Sequence, residues 1–124
     1  MIKKFWHTGV TVKDLEKAIA EYEVLGFKVA KKFEKPELHA NAAIVEHPNG
    51  SALELWEWID GTHPQVEYIK SHLAFMSDNL EEDIEKLVKQ GCEIVIPKTE
   101  GVLVLYSYVR DPSGNYIEIA QEKP

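Results

Sequence analysis

The chain repeats itself, and that repeat restricts it to a fold made from two copies of one small unit. His7-Thr8-Gly9-Val10 is matched 65 residues later by His72-Leu73-Ala74-Phe75. The same spacing pairs Asp14 with Asn79, Leu15 with Leu80, Ile19 with Ile84, Tyr22 with Leu87 and Gly26 with Gly91. Towards the end of each copy, at a spacing of 64, His47-Pro48-Asn49-Gly50 is matched by Asp111-Pro112-Ser113-Gly114 and Leu53-Glu54-Leu55 by Ile117-Glu118-Ile119. The copies span about 2–59 and 67–122, joined by the turn-forming Asp60-Gly61-Thr62-His63-Pro64. A chain of 124 residues has room for one domain, 1–124, made of these two modules.

Each module reads βαβββ. A first strand (about 3–11 and 71–77) leads to a helix behind a capping residue, Asp14 or Asn79. Leu15, Ala18, Ile19 and Tyr22 form one apolar helical stripe, and Leu80, Ile84, Leu87 and Val88 the other. Gly26 and Gly91 stand where a left-handed helix end belongs. Three strands follow each glycine, about 27–34, 40–47 and 52–59, then 92–96, 102–110 and 115–121. The last two of each set are joined by a Pro-x-Gly tight turn. The fold class expected is α+β, with two sheets of about four strands, each backed by a helix.

Composition excludes several classes of function. A net charge of −7 repels phosphate backbones, so nucleic acid is not expected as a partner. No apolar run reaches a membrane-spanning length, and Met1 to His7 has no signal-like apolar stretch, so neither a membrane nor secretion is expected. The single cysteine, Cys92, permits no intrachain disulfide and no cysteine-built zinc site, which points to a reducing compartment, the cytoplasm. Cys92 itself reads as a small core residue.

Strand alternation then sorts the side chains. Leu53, Leu55, Ile117, Ile119, Leu73 and Phe75 turn towards the helices. His7, Glu54, His72 and Glu118 all turn the other way. That second face also carries Phe5, Trp56, Trp58, Met76 and Tyr116, so it is not a face left to water. One histidine or one glutamate on a strand is ordinary, but here a His and a Glu recur at equivalent places in both copies. Buried carboxylates need a partner or a metal, and two imidazoles with two carboxylates can meet that need around one divalent ion. His39, His47 and His63 read as solvent-facing or turn residues, and Glu81-Glu82-Asp83 as a solvated helix start.

The run from His7 to Leu15, with Tyr22 and Leu25-Gly26-Phe27, resembles the opening of the vicinal oxygen chelate superfamily. Arg110-Asp111-Pro112-Ser113-Gly114-Asn115-Tyr116-Ile117-Glu118-Ile119 resembles its closing signature, and the likeness covers nearly the whole chain. The superfamily includes glyoxalase I, methylmalonyl-CoA epimerase, extradiol dioxygenases, fosfomycin-modifying enzymes and bleomycin-binding proteins. The set His7, Glu54, His72, Glu118 is similar to the glyoxalase I ligand pattern, whereas Thr11 and Trp58 stand where small glyoxalases carry the Arg and Asn that hold glutathione.

The resemblance implies a metal-dependent, glyoxalase-I-like isomerase or lyase that stabilises an enediolate or enolate of a small chelating substrate. The ion would be Ni, Co, Zn, Mn or Fe. Glu118 would be the base and Glu54 its counterpart, with Phe5, Trp56, Trp58, Met76, Tyr106, Tyr108 and Tyr116 around the substrate. It also implies a homodimer in which His7 and Glu54 of one chain meet His72 and Glu118 of the other. The alternatives on the same cradle are a dioxygenase, a fosfomycin-type transferase, an epimerase, and a non-catalytic protein that binds a small molecule such as an antibiotic.

Overall fold

The computed structural model describes residues 1–59 and 71–124. The expected linker Asp60 to Pro64, with His63, lies outside them. The described residues fall into two compact units, one of residues 7–59 with Ser71 and the other of Met1–Trp6 with His72–Pro124.

In the first unit, β1 (Ile2–Val12, of which Thr8 to Val12 pair here) runs parallel to β4 (Ala52–Trp58). β4 pairs antiparallel with β3 (Ala40–Glu46), and β3 with β2 (Lys28–Lys35). The helix α1 (Leu15–Val24) packs Leu15, Ala18 and Ile19 on Ala43, Val45 and Leu55. The other unit repeats the plan. β5 (Leu73–Ser77) is parallel to β8 (Tyr116–Glu122), followed outwards by β7 (Val104–Arg110) and β6 (Glu93–Glu100). The helix α2 (Leu80–Lys89) packs Leu80 and Ile84 against Cys92, Val109 and Ile119. The strands run in mixed directions, with a helix on one face in each unit, as an α+β fold requires, but they belong to one eight-stranded order, β2-β3-β4-β1-β5-β8-β7-β6, where two separate sheets were expected.

The helix ends follow the sequence closely. Asp14 Oδ1 accepts from Lys17 N, and Asn79 Oδ1 from Glu82 N, both at 3.1 Å. At the far end of α1, Phe27 N donates to Tyr22 O and Gly26 N to Glu23 O, the paired bonds of a Schellman motif. The Tyr22 and Phe27 rings meet edge-on at 5.9 Å, as that motif favours. Cys92 N to Leu87 O and Gly91 N to Val88 O repeat it in α2. A further cap comes from the sheet. Glu57 Oε2 accepts from Leu15 N at 2.8 Å, and Gln121 Oε1 from Leu80 N at 2.9 Å, so the last strand of each unit fixes the start of its helix.

Some expectations are corrected. β6 continues past residue 96 to Glu100 although it contains Pro97, and its register shifts around Ile96. Proline is tolerated in such an irregular, outermost strand. β7 starts at Val104 rather than 102, and a short 3-10 turn, Pro36–Leu38, precedes a left-handed His39. Val88, expected in the stripe of α2, is 43% exposed, and Leu73, expected to face the helix, is 42% exposed. Each stands at the margin of its apolar face. Asp83, expected to be solvated, is buried and accepts from Ser77 Oγ at 2.5 Å.

Two glycines test how tightly this is packed. Gly26 and Gly50 both have positive φ, 100° and 95°. A Cβ at Gly26 would lie 2.7 Å from His47 Nε2, whereas one at Gly50 would meet nothing within 4 Å. Gly50→Ala is expected to cost about 1 kcal/mol for the backbone conformation alone. Gly26→Ala is expected to cost about 2 kcal/mol, since His47 also packs on Phe27 at 5.3 Å. Urea unfolding of the two variants checks the order.

The second turn carries a pH signature. Amide hydrogens of Asn115, Ser113 and Gly114 hold the Asp111 carboxyl below its ordinary range. A carboxyl depressed on folding adds stability above its unfolded pKa, and that contribution is lost as pH falls through the lower folded value. Asp111→Asn is therefore expected to show a shallower stability loss than the parent protein below about pH 4 in acid unfolding.

Candidate metal centre

Parallel pairing of β1 with β4 and of β5 with β8 builds two equivalent half-sites. In the first unit Gly9 stands opposite Glu54, and in the other Ala74 stands opposite Glu118. The histidine lies two residues earlier, on the same side, at His7 and at His72. His72 itself lies inside the expected strand, about 71–77, but directly precedes the observed β5. The residue facing each carboxylate is thus small, glycine or alanine, which leaves the glutamate room to lean towards its histidine. His7 Nε2 lies 3.4 Å from Glu54 Oε1, and His72 Nε2 lies 3.3 Å from Glu118 Oε1. All four residues are buried, His7 completely and Glu54 to 6% exposure.

Each carboxylate also accepts a hydrogen bond from an aromatic neighbour. Trp56 Nε1 donates to Glu54 Oε1 at 2.8 Å. Tyr108, directly opposite Glu118 across the β7–β8 pair, donates its hydroxyl to Glu118 Oε1 at 3.2 Å and lies 3.5 Å from His72 Nε2. Imidazole nitrogens and carboxylate oxygens suit a divalent transition metal, and such ligands are commonly oriented by further hydrogen bonds of this kind. The donor chemistry fits an ion.

The remaining expected residues divide. Trp56 and Trp58 stack at 5.8 Å in a cluster with Ala40 and Ala42. Trp58 Nε1 is buried and has no hydrogen-bond partner among the described residues. Tyr106 meets Tyr108 edge-on at 5.7 Å, and Met76 pairs with Ala120, two residues beyond Glu118. Tyr116 is half-buried, with the Arg110 guanidinium 6.0 Å from its ring. Phe5 is not brought to the histidine–glutamate pair by its ring contact. It is 45% exposed and meets Phe75, a side chain packed into the α2 cluster, at 5.4 Å. His39 is exposed and left-handed, and His47 accepts from Asn49 N within its turn, as their positions suggested. Counting from the last turn puts Tyr108 opposite Glu118, but the hydrogen bonds of Trp56 and Tyr108 to the carboxylates depend on rotamers that the sequence does not fix.

A family model described as the Glyoxalase/Bleomycin resistance protein/Dioxygenase superfamily matches residues 4–119. The chain belongs to that superfamily. It is 30% identical over 125 residues to a lactoylglutathione lyase of Escherichia coli O157:H7, covering 94% of this chain and 91% of the relative. Among solved structures, methylmalonyl-CoA epimerase from Mycobacterium tuberculosis superposes with a TM-score of 0.80 at 20% identity, over 99% of this chain and 90% of that one. A Streptomyces coelicolor methylmalonyl-CoA epimerase complexed with 2-nitronate-propionyl-CoA gives 0.79 at 16% identity, with both chains covered fully. These superpositions establish the shared fold. No helix among the described residues is long and apolar enough to cross a membrane.

The space opposite the carboxylates can be tested directly. Ala74 is completely buried against Glu118, so Ala74→Leu is expected to cost about 1–3 kcal/mol through overpacking. It should also push Glu118 away from His72 and weaken metal uptake, measured by calorimetric titration with Co²⁺.

Proposed function

We propose that His7, Glu54, His72 and Glu118 together hold one divalent ion, Ni, Co, Zn, Mn or Fe. On this reading the protein is a metal-dependent enzyme that shifts a proton on a carbon beside a carbonyl or hydroxyl of a small, two-oxygen chelating substrate. The observation that carries the reading is the recurrence of a buried histidine–glutamate pair in both halves of the repeat. Membership of the superfamily and the likeness to a lactoylglutathione lyase support it. When bound, such an ion supplies Lewis-acid stabilisation of the negative charge that a departing proton leaves on the substrate.

The chain's own residues do the rest. Glu118 takes the proton from one carbon and returns it, so no net charge is created over the cycle. Glu54 stands as its counterpart from the other module. Trp58 Nε1–H, buried and without a hydrogen-bond partner among the described residues, is on this reading a donor to a substrate oxygen. The stacked Trp56 and Trp58, with Tyr106, Tyr108 and Met76, give the substrate an apolar lining. Thr11 and Trp58 supply neither a cation nor an amide for the glutathione carboxylates, so the thiol carrier need not be glutathione. We place the protein in the cytoplasm, on its single cysteine, and as a homodimer.

Elemental analysis and titration are expected to give one ion per set of four ligands, and His72→Ala to abolish tight uptake. In D₂O the protein should exchange the carbon-bound proton beside the thioester of lactoylglutathione or methylmalonyl-CoA, read by NMR. Glu118→Gln is expected to keep measurable metal affinity while losing exchange by several orders of magnitude, since an amide can ligate weakly but cannot take a proton. Mixing a His7→Ala/Glu54→Ala chain with a His72→Ala/Glu118→Ala chain reads whether both pairs of a site come from one chain or from two. Metal-free protein that takes up no ion would overturn the reading.

A further inference from the structure

The two halves of the repeat match in their histidines and glutamates but not in the groups that hold the glutamates. Trp56 corresponds to Ala120 in the other copy, and Tyr108 corresponds to Ile44. Ile44 stands opposite Glu54 as Tyr108 stands opposite Glu118. Each module therefore supplies a donor of its own to its carboxylate, from a different strand and of a different chemical kind.

The difference is physical. An indole N–H can only donate, and its direction is fixed by the ring. The Trp56 ring is buried, stacked on Trp58 at an interplanar angle of 14° and met edge-on by Phe33 at 5.6 Å, so the N–H cannot turn. Its bond to Glu54 is short, 2.8 Å. A tyrosine hydroxyl turns about its C–O bond and can donate or accept. At 3.2 Å its bond to Glu118 is longer than the usual 2.7–2.8 Å for O–H···O, and the same oxygen lies 3.5 Å from His72 Nε2. Glu54 is clamped. Glu118 is held by a group that can follow it.

We infer that Trp56 and Tyr108 are positioning residues that make the two carboxylates unequal: Trp56 fixes Glu54 as a permanent ligand, and Tyr108 receives Glu118 when a chelating substrate displaces it. This rests on the metal-site reading above and adds the two side chains, Trp56 and Tyr108, that hold the carboxylates unequally.

The test uses conservative variants of the full chain, Trp56→Phe and Tyr108→Phe, each keeping an aromatic ring and removing the donor. Co²⁺ is the metal probe and acetohydroxamate the two-oxygen chelating probe, both followed by the visible spectrum of Co²⁺. Trp56→Phe is expected to lower Co²⁺ affinity about 10–100-fold, the usual effect of removing an orienting partner, and to leave acetohydroxamate affinity of the loaded protein within about threefold. Tyr108→Phe is expected to do the reverse, with Co²⁺ affinity within about threefold and acetohydroxamate bound about 10-fold more weakly or worse.

Thermal unfolding of the metal-free variants runs alongside, and a cooperative transition shows that each has folded. Should Trp56→Phe not fold, the Tyr108→Phe arm alone decides, because a loss of Co²⁺ affinity there contradicts the assignment. Equal effects of both variants on both probes, or the opposite pattern, would overturn the inference while leaving the metal site standing. A parent protein that binds no Co²⁺ would overturn both.

Discussion

Everything at the candidate site depends on parallel pairing between the first and last strands of each module. In a parallel pair, residues that share a face keep a constant offset, so one register fixes a whole set of neighbours. Gly9 opposite Glu54 and Ala74 opposite Glu118 are the same register written twice. It brings a histidine two residues upstream to within 3.4 Å of the carboxylate in one unit and 3.3 Å in the other. Parallel neighbours cannot be joined by a tight turn, so the helix and two intervening strands are the crossover that makes this pairing possible. The helix also covers the opposite face of the sheet and leaves the histidine–glutamate face to the site.

The same strands tie site and core together. Along β4, Leu55 packs under α1 while Glu54 and Trp56 form the site, and Glu57 reaches the first amide of α1. β8 does likewise with Ile119, Glu118 and Gln121. A slip of one residue would turn every side chain over and also break the cap on the helix. Register is therefore specified by three kinds of interaction, apolar packing, a helix cap and a buried histidine–glutamate contact. The exposed pairs Lys32–Glu16 and Lys98–Glu81 recur in both units as well, but at 2.6 and 2.7 Å in solvent they contribute little to stability.

Much of this was legible in the sequence because the repeat removed the ambiguity of single residues. The caps at Asp14 and Asn79, the glycine-ended helices and the positions of His7, Glu54, His72 and Glu118 all follow from setting one copy on the other. Averaging over two copies also hides what only one copy has. The strand expected over about 92–96 stops before Pro97, and pairing with β7 carries β6 to Glu100. The Tyr108–Glu118 pair was available from the turn, since counting outwards from Arg110 opposite Tyr116 puts Tyr108 opposite Glu118. Alternation placed Trp56 on the face of Glu54, but not the indole N–H on its carboxylate, because a hydrogen bond depends on side-chain rotamers that spacing does not fix. Phe5 shows the same limit: alternation assigns it a side of the strand but does not give the contact of its ring with Phe75.

The energetic division between the two faces explains why the site can be so polar. A carboxylate taken out of water costs several kcal/mol even when paired, so the buried histidine–glutamate pairs do not hold the units together. The helix faces do. Fully burying a Leu, Ile or Val contributes about 1.5–3 kcal/mol, and the α1 cluster alone buries Leu15, Ile19, Val45 and Leu55. About 6–12 kcal/mol from those four side chains exceeds the cost of one paired carboxylate. The surplus on one face of the sheet is what lets the other keep two ionisable groups, and a buried indole N–H at Trp58 that has no hydrogen-bond partner among the described residues.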